Sequence, residues 1–357
     1  MSRRVRVAVI GAGIGAAHVK AYCTNAALYQ VAVVCDLDAA RAAKIAGPAG
    51  ASVETSYEIV LRRHDIDLID ICLPPSLHGT AIELALQTGR HVLCEKPLVG
   101  SLREIARIEQ LAARVGCAVV PVYQYRYGNG LARLRRLIAA GVTGKPLVAS
   151  IETHWNRLAA YYEVPWRGRK DTELGGAIIS HAIHAHDLLT FTLGPVSRVF
   201  ASLATRVNPI ETEDCAAIVL DMASGALVTS SITLGAAEEL SKFRLCFAEL
   251  TAESPGTPPY RPAEGEWRFI ARGSRKQAEI DAVLRDFSPQ QESFAGLVEA
   301  LHAALDGRAE WPLTLRDAYQ SLELISAIYY SAALGTAVEL PLPADHPVRD
   351  GWATWLR

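Results

Sequence analysis

One pattern near the start of the chain limits its possible folds more than any other. An apolar stretch, Val5–Ile10 (VRVAVI), runs into Gly11-Ala12-Gly13-Ile14-Gly15 and an alanine-rich segment containing Ala16, Ala17 and Ala21. A second apolar stretch, Val31–Cys35, ends at Asp36. Strand, glycine turn, helix, strand and acid within roughly 30 residues is the order a dinucleotide-binding βαβ unit requires. The glycines allow a tight turn and let backbone N–H groups approach a pyrophosphate at the helix N-terminus. The spacing departs from G-x-G-x-x-G, because Gly15 comes one residue early and Ala16 stands in the usual third place. Taken alone, the glycines also fit a tight turn with no ligand. Asp36 favours a nucleotide: an acid here accepts hydrogen bonds from both ribose hydroxyls and repels a 2′-phosphate, so NAD is expected. Arg41 lies close enough to keep NADP open.

The alternation continues as strand Leu68–Leu73, helix Ser76–Thr88, strand His91–Cys94, helix Leu102–Val115 and strand Ala118–Val122. Buried strands alternating with helices predict a parallel sheet covered on both faces. After Tyr123 the texture changes. Strand-like stretches at Pro146–Trp155, Val199–Arg206, Ala216–Met222 and Leu227–Thr233 lack helical crossovers, which favours an antiparallel sheet. Helices are expected at Gly176–Leu193, Ser293–Asp306 and Leu315–Ala333, and an irregular excursion at 251–276. The expected fold class is therefore α/β, with a Rossmann domain over 1–122 and an α/β domain with a large open, mostly antiparallel sheet over 123–357.

Composition narrows the partners. The chain has 357 residues, enough for two or three domains. With 36 Lys+Arg against 38 Asp+Glu it has a net charge of -2 and no dense basic block, which argues against nucleic-acid and anionic-membrane binding. No apolar run is long enough to span a bilayer. Ser2-Arg3-Arg4 before an apolar run imitates a twin-arginine signal, but three close glycines interrupt that run. Seven cysteines without C-x-x-C spacing, most of them in apolar runs, read as buried thiols in a reducing compartment. A cytoplasmic protein is expected.

Ile71–Pro97 reads ICLPPSLHGTAIELALQTGRHVLCEKP, and this stretch resembles the signature of the Gfo/Idh/MocA family of NAD(P)-dependent oxidoreductases. The resemblance runs through Tyr125-Arg126-Tyr127, Trp166-Arg167-Gly168, Gly175-Gly176, His184-x-x-Asp187, Glu213-Asp214 and Val338-x-Leu340-Pro341. It implies hydride transfer between NAD(P) and a secondary alcohol of a sugar, cyclitol or sugar derivative, an active site between the domains, and homo-oligomerisation through the open sheet as a homodimer or homotetramer. It also implies that Lys96 is catalytic and that the Lys96–Pro97 bond can be cis.

The residues themselves agree on Lys96. It follows a buried strand and so sits at a carboxyl end, where open α/β sheets bind ligands. There an ammonium can hydrogen-bond the reacting alcohol and stabilise the developing alkoxide, with Glu95 orienting it. On a helix, Ser180, His184 and Asp187 fall on one face at i, i+4 and i+7. His184 is the expected general base, suited by its near-neutral pKa, and Asp187 is expected to orient it or bind a sugar hydroxyl. Ser180 stands where the family often has Asp, which weakens assignment to the inositol dehydrogenases. His181, His184 and Asp187 also raise a zinc site, yet no HExxH or cysteine partner accompanies them and no metal is expected. Substrate contacts are expected from Arg126, His154, Asn156, Trp166, Arg167 and Asp187. Cofactor contacts are expected from Gly11, Gly13, Ile14, Gly15, Asp36, Arg41, Leu73, Pro74, His78, Glu95 and Lys96. Two other readings remain: an NAD-dependent glycosidase acting by transient oxidation and elimination, and a non-catalytic NAD-binding regulator.

Overall fold

The computed structural model describes residues 3–355, so Ser2 of the arginine-rich start lies outside the described residues. The chain forms two compact units: one runs to Tyr123 and takes in Phe294–Tyr319, and the other comprises Gln124–Ser293 and the chain from Gln320 onward.

The first unit opens with β1 (Val5–Ile10), α1 (Gly15–Thr24), β2 (Tyr29–Cys35), α2 (Ala39–Ala49), β3 (Ser52–Glu54) and α3 (Tyr57–Leu61). It continues through β4 (Leu68–Ile71), α4 (His78–Gln87), β5 (His91–Cys94), α5 (Leu102–Val115) and β6 (Val119–Pro121). The six strands pair in parallel in the order β3-β2-β1-β4-β5-β6. Every residue of β4 is buried, and because side chains alternate across a strand, both faces of the sheet are covered there. The strand order reverses between β1 and β4, and a crevice for a ligand opens beyond the carboxyl ends at such a reversal. α5 shows how local sequence sets an element. Ser101 accepts the Glu104 N–H at its start, Leu102, Ile105, Ile108 and Leu111 bury one face, and Gly116 ends it in the left-handed region.

The second unit begins with a 3₁₀ turn, Gln124–Arg126, then α6 (Asn129–Ala139), β7 (Pro146–Asn156) and α7 (Lys170–Glu173). A π-helical turn, Ile178–Ala182, leads into α8 (Ile183–Leu193). Next come β8 (Val196–Ala204), β9 (Cys215–Met222), β10 (Leu227–Thr233), β11 (Gly235–Phe247), β12 (Leu250–Glu253), β13 (Arg268–Ala271) and α9 (Ser274–Leu284). After α10 (Ser293–Leu305), which lies almost wholly in the first unit, α11 (Leu315–Leu334) and β14 (Val338–Glu339) close the chain's regular structure. Eight strands form one sheet in the order β13-β12-β11-β7-β10-β9-β8-β14, antiparallel throughout except for the β10–β7 pair. Its inner face buries Ile151, Ile218, Leu220, Val228, Phe243 and Leu245. Its outer face exposes Val148, Phe200, Val219 and Leu227.

Phe294–Tyr319 was expected in the second domain but packs with the first unit. The Phe294 ring lies 4.6 Å from the His18 ring, the Val298 carbonyl accepts the Tyr29 hydroxyl at 2.7 Å, and Trp311 packs 5.3 Å from His91. β13 also falls inside the stretch expected to be irregular. All seven cysteines are free thiols, and no helix among the described residues is long and apolar enough to cross a membrane.

Candidate active site

The glycine turn after β1 has the shape a dinucleotide needs. Gly11 adopts φ +102, and a Cβ there would sit 2.4 Å from the Cys72 carbonyl, so only glycine fits. A Cβ on Gly13 would meet nothing within 4 Å, which leaves room for a pyrophosphate beside the backbone. Gly15 begins α1, and its missing side chain lets the helix pack against Val9 and Cys72. It therefore takes over the close helix–strand packing role of the third glycine, despite its early place in the sequence. The N-terminus of α1, at the exposed Ile14, has no side-chain cap, and the positive end of the helix dipole there favours an anion.

Asp36 stands buried at the end of β2. It accepts the Ala12 N–H at 2.7 Å, the Asp38 N–H at 2.9 Å, and the Arg41 guanidinium at 2.6 and 3.1 Å. Burial alone would raise its pKa, but the Arg41 and backbone donors bring it below the usual carboxylate value. An ionised acid aimed at the turn, an open Gly13 and an uncapped helix fit a bound NAD.

At the end of β5 the Glu95 carboxylate is buried, with one oxygen 3.0 Å from His18 Nε2 and the other accepting the Lys96 backbone N–H at 3.0 Å. Lys96 is half-buried and its bond to Pro97 is cis. Leu73 and Pro74, half-buried after β4, belong to the same unit. His78 was expected to face the cofactor, but its ring is fully buried between two carbonyls, Pro97 O and Leu73 O, at 2.8 Å each. It ties the turn after β4 to the Lys96–Pro97 peptide, and burial pushes its pKa down.

In the second unit the π-helical turn interrupts the regular face expected from Ser180 to Asp187. A π turn is wider than an α turn, so it changes the angle between residues before and after it. Ser180 donates to Glu173 Oε1 at 2.5 Å. His181 packs edge-on against Trp155 at 4.7 Å. The buried His184 ring stacks on Tyr125 at 4.6 Å. Asp187 was expected to orient His184 or bind a hydroxyl, but its buried carboxylate receives Arg126 through Nε at 2.9 Å and a terminal nitrogen at 2.6 Å. Arg126 also lies over the Phe191 ring, 4.4 Å from its centroid. His184 and Asp187 thus converge on the turn Gln124–Arg126, while His181 packs against Trp155.

His154 corrects a second expectation. Side chains alternate along β7, with Ile151, Thr153 and Trp155 buried, so His154 belongs to the other face of the sheet, where its Nε2 meets Ser231 Oγ at 2.9 Å. The neighbour that meets His181 is Trp155, whose Nε1 donates to Ser241 at 2.9 Å. Asn156 is exposed at the strand's end. Trp166 and Arg167 are half-buried, and the guanidinium lies 4.3 Å from the Trp166 ring and 4.0 Å from Tyr161. Buried Glu173 takes Arg167 at 3.5 Å and the Gly168 N–H at 2.5 Å. Tyr125, Trp155 and Glu173 were not anticipated as site residues. Of these only Tyr125 carried a signal, through the Tyr125-Arg126-Tyr127 motif.

Comparison with known proteins accords with both halves. Residues 5–123 match the model of the Gfo/Idh/MocA oxidoreductase family, NAD-binding Rossmann fold, and residues 131–252 match the family's C-terminal domain. D-xylose 1-dehydrogenase (NADP(+)) 2 of Haloferax volcanii is 27% identical over 88% of this chain and 94% of its own length. Inositol 2-dehydrogenase 2 of Paenarthrobacter aurescens is 30% identical over 65% of this chain and 69% of its own. The crystal structure of the WlbA dehydrogenase from Bordetella pertussis, in complex with NADH and UDP-GlcNAcA, shares the fold at TM-score 0.84, with 24% identity over 96% of this chain and 100% of that one. The Rossmann sheet with its glycine turn, the Glu95-Lys96-Pro97 segment and these relatives together make the chain a member of the Gfo/Idh/MocA family of oxidoreductases.

Proposed function

We propose that this protein is an NAD(P)-dependent dehydrogenase for a secondary alcohol of a sugar, cyclitol or sugar derivative. The observation that carries the reading is the end of β5, where Lys96 leaves a backbone held by the buried Glu95 carboxylate in the unit that also holds the dinucleotide turn. Relatives that act on D-xylose and inositol support the substrate class. A bound nicotinamide would supply the acceptor for the hydride leaving the carbinol carbon.

The chain's own groups do the rest. The Lys96 ammonium hydrogen-bonds the substrate oxygen and stabilises negative charge as it develops. His184, stacked on Tyr125, removes the hydroxyl proton as general base. Asp187 holds Arg126 in place, and Arg126, Trp166, Arg167 and Asn156 meet the remaining hydroxyls, an aromatic face suiting the apolar side of a sugar ring. Residues 1–122 bind the cofactor, through Gly11, Gly13, Ile14, Gly15, Asp36, Leu73 and Pro74, and residues 123–357 serve the substrate and assembly, apart from the segment that packs with the first unit. Asp36 supports NAD over NADP. Seven free thiols support a reducing cytoplasm as the place of work. The apolar outer face of the eight-stranded sheet supports a homodimer or homotetramer joined through it.

A panel of sugars and cyclitols, offered with NAD and NADP separately and followed by NAD(P)H absorbance, tests this reading. Lys96→Ala is expected to lower kcat/KM at least about 100-fold on the best substrate, the scale of losing one charge-stabilising donor, while still binding NADH. Full activity in that variant overturns the mechanism. Glycoside cleavage with no net NADH formation would replace the dehydrogenase by a glycosidase.

A further inference from the structure

His18 belongs to α1, yet neither of its ring nitrogens faces the dinucleotide turn. The side chain is 1% exposed. Nδ1 lies 2.9 Å from Asp70 Oδ2, and Nε2 lies 3.0 Å from Glu95 Oε1. Asp70, fully buried in β4, also accepts the Tyr22 hydroxyl at 2.9 Å and has the Cys72 thiol 3.6 Å away. The other Glu95 oxygen takes the Lys96 peptide N–H. A continuous line of contacts therefore runs from Tyr22 through Asp70, His18 and Glu95 to the backbone of Lys96.

Counting protons shows what this line requires. A neutral imidazole has one N–H and one lone pair, so it can donate to only one of two carboxylates. With both acids ionised, the lone pair would face an anion in a buried site. The contacts are satisfied when the imidazole carries both N–H protons and sits as a cation between two anions. Burial opposes that charge, but Asp70 together with Cys72 more than compensates and raises the His18 pKa well above its ordinary value.

We propose that His18 is a positioning residue for Lys96, an imidazolium clamp between Asp70 and Glu95 that fixes the Glu95 carboxylate against the Lys96 peptide and thereby the backbone from which the Lys96 side chain departs. The proposal rests on the reading of Lys96 as the group that stabilises the alkoxide. His18 acts only through Glu95. The titratable groups around Glu95 include His18, Asp70, Cys72, His78, Cys94 and Lys96. His18 places an imidazole nitrogen in hydrogen-bond contact with the Glu95 carboxylate.

The test compares wild type, His18→Gln, Asp70→Asn and Lys96→Ala on the best alcohol of the panel. Glutamine fills similar space and can serve one carboxylate but not both. Asp70→Asn removes the charge that favours the imidazolium, and it decides the matter if His18→Gln does not fold. Either variant is expected to lose about tenfold or more in kcat, with NADH affinity by fluorescence titration and KM for NAD within about twofold of wild type. The acid limb of the kcat–pH profile should move to higher pH, because a carboxylate that loses a cationic neighbour takes up a proton more readily. Wild-type kcat with an unmoved acid limb overturns the clamp. So does a loss of NADH affinity matching the loss of kcat, which would show a merely structural role. Full activity in Lys96→Ala sinks the underlying mechanism instead, so the two failures are distinguishable.

Discussion

Asp36 is already engaged by two backbone N–H groups and the Arg41 guanidinium. A cofactor ribose reaching this carboxylate competes with Arg41, which is half exposed and free to swing away. On the proposed reading the same pair sets cofactor choice from two sides: the acid would accept ribose hydroxyls, and a released Arg41 would greet a 2′-phosphate. Asp36→Ala is expected to shift the NAD-to-NADP ratio of kcat/KM by at least about tenfold toward NADP, a change of about 1.4 kcal/mol. An unchanged ratio would deny Asp36 its discriminating role. Asp36 and Lys96 stand out in the sequence because one comes directly after an apolar strand and the other two residues after one. His18 could not, since its two partners come from the middle of β4 and the end of β5, and only the folded sheet brings them to one imidazole. Glu173 was hidden for a similar reason: it meets Ser180 across a turn that no periodicity describes. His154 and Trp155 show how narrow the margin is, because one step along a strand exchanges the faces of the sheet.

Among the elements, the parallel strands of the first unit were legible because strands buried on both faces appear as continuous apolar runs between turn residues. β11 was not. Its sequence, GAAEELSKFRLCF, is rich in Ala, Glu and Leu, which favour helix, and its regular alternation of buried residues is confined to the second half. Pairing with β7 and β12 overrides that preference. α8 was recognised, but the π turn before it was not, since neither proline nor glycine marks positions 178–182. On α8, His186 is buried with Nε2 3.1 Å from Ser230 Oγ and Nδ1 without a hydrogen-bond partner. Burial lowers its pKa from 6.5 to about 4. The folded state keeps this ring neutral while the unfolded chain protonates near 6.5, so its contribution to stability is present above that value and is lost as the pH falls toward 4. Between about pH 7 and about pH 5 this one group should cost about 2 kcal/mol. His186→Gln should flatten that part of the urea-denaturation profile, and an unchanged pH dependence would rule the group out.

At the scale of the whole molecule, the outer face of the eight-stranded sheet carries exposed apolar side chains that the proposed oligomer would cover. Phe200 lies opposite Val219 on adjacent strands, and Leu227 lies opposite Val148, all of them exposed. The Arg198–Asp221 ion pair on the same two outer strands adds a polar edge. A charge in the middle of an apolar interface opposes association, so Val219→Glu should convert the proposed oligomer to monomer in sedimentation equilibrium without unfolding it. A wild-type protein that sediments as a monomer would remove the proposal altogether. The division into units has a different consequence, in the order of events as the chain is made. The strands β1 to β6 emerge first, but His18, Tyr29 and His91 wait for Phe294, Val298 and Trp311. The nascent first unit therefore stays incomplete on the ribosome until most of the second has been synthesised. A fragment ending at Tyr123 should then be less resistant to proteolysis than the same residues within the full chain.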